Sequence, residues 1–154
     1  MNADDLIEEV RDELHNMERV VGELQSLTAD VEGRHPTLRE KMAAGGFLSS
    51  FYMGVENVLK RICKFREVPL PQSARWHIAL FERFCPPAHE ALPVLFNEEL
   101  AREMKPYREF RHVARHGYGL DLNWELMQDG MANVESVFER FRGRVDGYLE
   151  TLPS

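Results

Sequence analysis

The sequence predicts an all-α domain, an antiparallel four-helix bundle with a short extra helix, folding as one unit over residues 1–154. Three observations predict it. Apolar residues recur at three-four spacing in each long segment, start and stop signals fall between those segments, and no run alternates apolar and polar residues as a half-buried strand would. Helical segments take about 80% of the chain, against about one-third in an average protein. At 154 residues, 44% hydrophobic and 29% charged, the chain can bury a core without staples and is neither disordered nor fibrous in composition.

The first helix is expected from about 3 to 32. Apolar residues stand at 6, 7, 10, 14, 17, 20, 21, 24, 27 and 31, and Gly33-Arg-His-Pro36 supplies the breakers. Thr37-Leu-Arg-Glu40 has the form of a capping box and should open the second helix. Its buried face is expected to run through Met42, Leu48, Phe51, Tyr52, Val55, Val58, Leu59 and Ile62. Gly45-Gly46 lowers its propensity by roughly 1 kcal/mol per glycine, which close helix packing or a kink would explain.

Arg66 to Gln72 holds two prolines and reads as a loop. Ser73 is expected to cap a short helix from Ala74 to about Cys85, ended by Pro86-Pro87 and followed by a weakly structured connection to about Phe96. A fourth helix is expected over 97–117, interrupted or bent near Pro106. Gly117 and Gly119 close it, Asp121 is placed to cap the last helix, and that helix, about 122–151, should bury Leu126, Met127, Val134, Val137, Phe138, Phe141, Val145, Tyr148 and Leu149.

Charge and composition narrow the function. A net charge of −7 argues against a broad nucleic-acid coat, whose phosphate contacts need an extended basic face, but leaves room for a narrow basic cleft. No apolar run approaches the roughly 18 residues of a spanning helix, so no membrane role is expected. Two acids in Met1-Asn-Ala-Asp-Asp stand where a secretory leader carries bases, which makes the cytoplasm the expected compartment. Cys63 and Cys85 form no Cys-x-x-Cys pair and read as core thiols. The acids of the first helix, among them Asp4, Asp5, Glu8 and Glu9, read as a solvated face or a surface for a basic protein.

One segment gathers titratable and basic groups. Between Lys105 and Tyr118 stand Arg108, Arg111, His112, Arg115 and His116. On a helical wheel Leu100, Met104, Tyr107 and Ala114 share a sector, and Arg111 projects into its edge, where an apolar side chain is expected. An arginine there must be paired or face a polar cleft. A buried ion pair with a carboxylate such as Glu56 and a functional site are both consistent with that position. His116 falls in the last turn, where the helix dipole favours its protonated form. Arg111 and His116 lie about 140° apart on an ideal helix. The arginine's length, unwinding at Gly117 or a second subunit must bring them together.

Arg111-His-Val-Ala-Arg-His116 resembles the Arg-x4-His motif of the HEPN superfamily, and His116-Gly-Tyr118 extends it to the Arg-x4-His-x-Tyr pattern of its HepT-like toxins. Gly54 to Ile62, and Trp76-His77 with Leu80, are similar to the second and third helices of that group. The resemblance implies a metal-independent endoribonuclease toxin, needing no cofactor, that acts as a homodimer with its motifs facing a cleft. His116 would withdraw a proton from a ribose 2′-OH or protonate the leaving oxygen, and Arg111 would stabilise charge on the phosphoryl oxygens. His112 would orient the pair, while Arg108 and Arg115 would hold neighbouring phosphates. The resemblance also implies a minimal nucleotidyltransferase antitoxin that places AMP on Tyr118, where bulk and negative charge would block RNA. Alternatively, Tyr118 simply packs on the next helix.

Two other readings compete. His112 and His116 could ligate a metal, but no third ligand is evident and the adjacent arginines would repel a cation. His15, His35, His77 and His89 lack comparable neighbours, and His77 beside Trp76 is expected to be structural, with a place in the cleft wall as the lesser alternative. The rival to an enzyme is a noncatalytic helical subunit that presents a nucleotide or substrate to a nucleotidyltransferase.

Overall fold

The computed structural model describes residues 1–116 and 123–153, and of His116 only its place in a helix. Tyr118, Gly117, Gly119, Asp121 and the His116 side chain, all given roles from the sequence, therefore lie outside the described residues. The described residues form five helices and no strand: α1 (Ala3–Val31), α2 (Leu38–Phe65), α3 (Trp76–Glu82), α4 (Glu98–His116) and α5 (Trp124–Glu150).

Local chemistry sets the helix starts. Asn2 Oδ1 accepts from the Asp5 N–H at 2.8 Å while the Asp5 carboxylate accepts from the Asn2 N–H, so a capping box opens α1. Thr37 and Glu40 do the same for α2, as their spacing predicted. The helix that was to be capped by Asp121 instead begins at Trp124. Asn123 caps it, its Oδ1 accepting from the Leu126 N–H at 3.2 Å.

The interior follows from the spacing. Leu6, Val10, Leu14, Met17, Val21, Leu24, Leu27 and Val31 form one buried stripe on α1. The α2 face from Leu48 to Ile62 is buried as expected. Met42 and Leu126 are corrections, at 39% and 59% exposed, each within two turns of a helix start. Gly46 has open space around it, so close packing does not account for that glycine. The close approach of α1 and α2 falls at Gly54, where an added Cβ would collide with the Met17 side chain.

Among the described residues α2 packs on α1, α3, α4 and α5, while α5 also touches α1 and α4. Aromatic rings knit the centre. Phe51 meets Tyr107 edge-on at 5.1 Å between centroids and Phe138 at 6.3 Å, and the buried Tyr107 hydroxyl donates to the Gly130 carbonyl at 2.6 Å.

Two further expectations change. α3 is shorter than the predicted 74–85, and Ser73 does not cap it through its side chain; Arg75 is the N-cap, and the Ser73 carbonyl accepts from the Trp76 N–H. The connection after it is tied down, since the Phe84 carbonyl accepts from both Leu95 and Phe96 N–H groups and Leu92, Leu95 and Phe96 are buried. α4 runs through Pro106 without interruption. Proline there forfeits a hydrogen bond and crowds the carbonyl one turn back, a cost offset by the buried side chains on either side that hold the helix to α2 and α5.

Candidate functional site

α2, α3 and α4 enclose a cavity of about 600 Å³. Its position follows from two departures from apolar pattern. Glu56 sits on the buried face of α2 and is 2% exposed, while Arg111 occupies the edge of the buried face of α4. A carboxylate so deeply placed must find cations or hydrogen bonds, because its lost hydration is not otherwise offset.

It finds a guanidinium and an imidazole on different helices. Glu56 Oε1 lies 3.8 Å from Arg111 Nε, and Oε2 lies 3.4 Å from His77 Nδ1. Arg111 Nη1 also donates to Ser49 Oγ at 3.2 Å. Thus one carboxylate joins an imidazole from α3 to a guanidinium from α4. Neither contact has the geometry of a hydrogen bond at Glu56 Oε2 or Arg111 Nε, and both atoms lack such a partner among the described residues. The ion pair raised as the alternative to a site is therefore present, and it lies in the wall of a cavity.

Above this floor the cavity is cationic. Arg75, Arg108, Arg111 and Arg115 face it with two carboxylates, Glu56 and Glu109, so arginines outnumber acids by two in a chain whose overall charge is −7. Arg115 Nη1 approaches His77 Nδ1 at 3.3 Å. The Trp76 ring lies under Lys60 Nζ at 4.6 Å and the Arg115 guanidinium at 5.9 Å, and its centroid is 3.9 Å from that of His77. Burial lowers the His77 pKa below its ordinary 6.5, with Arg115 and His112 adding to the effect and Glu56 opposing it. Burial also pushes the Tyr52 hydroxyl far above its usual range, so that phenol stays neutral in the wall.

The structure brings Arg108, Arg111, His112 and Arg115 to one cavity within a single chain. Arg111 is partly buried with a 24% exposed side chain, while His112 and Arg115 are exposed. His116 is the final residue of α4. His77, expected to be merely structural, lines the cavity and touches Glu56. The available signal was Glu56 itself, an acid among Tyr52, Val55 and Leu59 on an apolar helix face. Among the described residues no three His, Cys, Asp or Glu side chains gather in a way that would hold a metal ion.

An all-helical chain with an Arg-x4-His segment on a cationic cavity defines the class. The model of the HepT-like protein family matches residues 43–152, most of the chain, and the protein belongs to that family within the HEPN superfamily. The match begins inside α2 and leaves α1 outside it. No curated protein and no solved structure matches the chain. No helix of the described residues is long and apolar enough to cross a membrane.

Proposed function

We propose that the protein is a metal-independent endoribonuclease, the toxin of a toxin–antitoxin pair. The observation that carries this reading is the Arg111 guanidinium held at the floor of a cavity rich in arginine, in a chain of the HepT-like family. Arg111 stabilises the charge that builds on the phosphoryl oxygens as the 2′-oxygen attacks. Arg108 and Arg115 hold neighbouring phosphates, His112 orients the reacting groups, and His116 carries a proton. The confined cationic patch answers the acidic balance of the chain, because RNA need meet only this face.

The four long helices form an antiparallel bundle that repeats as a homodimer, so that the second copy closes the distance between Arg111 and His116. A cytoplasmic nucleotidyltransferase partner silences the enzyme by transferring AMP to Tyr118, beside the arginines. The test is cleavage of RNA by the purified protein in EDTA. Arg111→Ala and His116→Ala should each abolish cutting while leaving the helical content intact. A chain that never cuts RNA but binds the transferase would support the noncatalytic subunit instead.

A further inference from the structure

Cleavage by a neighbouring 2′-OH moves two protons, one off the nucleophile and one onto the leaving oxygen. The motif offers His116 for either role, and a second group must serve the other. Among the described side chains, His77 from α3 and Arg111 from α4 meet at one carboxylate. Both groups contact opposite oxygens of Glu56, at 3.4 and 3.8 Å, inside the same cavity and within one chain.

We propose that His77 is the general base of this site and Glu56 its positioning residue, which leaves His116 as the acid. The proposal rests on the ribonuclease reading. With Arg115 drawn to a phosphate, Glu56 Oε2, which lies 3.4 Å from Nδ1, accepts the Nδ1–H of His77, and this fixes the tautomer whose Nε2 carries the lone pair. Nε2 takes the proton of the ribose 2′-OH as the O2′–P bond forms. The P–O5′ bond breaks, and the 5′-oxygen takes its proton from the His116 imidazolium. The products are a 2′,3′-cyclic phosphate and a 5′-hydroxyl, and proton exchange with water resets both rings.

Two features suit His77 to this work. It is neutral near pH 7, since burial and the adjacent cations lower its pKa. The competing contact from Arg115 is conditional. Arginine only donates, so it engages Nδ1 only when that nitrogen is unprotonated, and a phosphate that draws Arg115 away leaves Nδ1 facing Glu56. The charged and titratable groups that line the cavity with His77 are Tyr52 and Glu56 from α2, Arg75 at the start of α3, and Arg108, Glu109, Arg111, His112 and Arg115 from α4. Their balance is cationic, which adds to the effect of burial on the imidazole.

The experiment follows single-turnover RNA cleavage in EDTA against pH for the wild type, His77→Gln, Glu56→Gln and Arg111→Ala, with the His77 ring titrated by NMR. The wild-type rate should rise with pH through a pKa below the ordinary histidine value. His77→Gln should lose about 10²- to 10⁴-fold and that rising limb, and free imidazole should restore activity to His77→Ala. Glu56→Gln should shift both the limb and the His77 titration to lower pH, because a raising charge is removed. A rising limb retained in His77→Gln, or a His77 titration unmoved in Glu56→Gln, overturns this assignment while leaving the ribonuclease reading intact. A wild type that cuts no RNA overturns that reading, and the base assignment with it.

Discussion

Replacing Arg111 by methionine, Glu56 by glutamine, and both together isolates the pair at the cavity floor. At the 3.8 Å separation of Arg111 Nε and Glu56 Oε1, opposite charges attract by roughly 4 kcal/mol at an effective dielectric of about 20. Two features reduce what unfolding reports. The arginine side chain is 24% exposed, so water screens it, and the carboxylate gives up hydration to be there. The expected coupling is about 1–2 kcal/mol, below the 3–5 kcal/mol lost when a fully buried pair is broken. Arg111→Met should be the costlier single change, since it leaves a 2% exposed carboxylate with only His77 opposite. Glu56→Gln removes the charge that needed partners and should cost less. Urea unfolding at neutral pH measures all four proteins. Single effects that add to the double within about 0.5 kcal/mol would show that the two groups do not sense each other, and the geometry of the cavity floor would lose its energetic meaning. The same data show whether an inactive Arg111 variant is folded.

Three other outcomes follow from the packing and titration. Gly54→Val should destabilise by about 1–3 kcal/mol through collision with Met17, despite valine's better helix propensity than glycine; an unchanged urea midpoint would deny the close α1–α2 contact. Thr37→Ala removes the α2 cap and should cost about 1 kcal/mol, or about 2–4 °C in Tm for a domain of this size, with no loss refuting the capping box. His77 has a folded-state pKa below 6.5, so the unfolded chain binds more protons as pH falls through that value. Stability should therefore decline on acidification from about 6.5 downward, His77→Gln should flatten that part of the profile, and an identical slope in both proteins would contradict the assigned environment.

The helices were legible because their information is local. Asn2 and Thr37 cap through residues three positions on, and the α1 stripe from Leu6 to Val31 repeats without a break. Position within a helix was harder to read. Met42 and Leu126 keep the apolar period yet stay exposed, and periodicity carries no measure of how far a partner extends. α3 misled for a similar reason, since Ser73 presents a suitable side chain but its carbonyl makes the bond to Trp76.

At the site, Arg111 could be found because a cation interrupts an apolar sector on its own helix, and Glu56 could be named as its partner. His77 could not. Its role depends on how α3 lies against α2 and α4, and its neighbour Trp76 gave a sufficient structural reason for an imidazole there. An acid on an apolar face, as Glu56 is on α2, is the general clue to look for more than one cation converging from elsewhere.

The most direct measurement replaces the ribose 2′-hydroxyl by hydrogen at one susceptible nucleotide of an RNA and follows cleavage in EDTA. The account predicts that the all-ribose strand is cut to a 2′,3′-cyclic phosphate and a 5′-hydroxyl, that the deoxy position resists, and that Arg111→Ala cuts neither. Cleavage that persists at the deoxy position, or that survives loss of Arg111 in a folded protein, would contradict it.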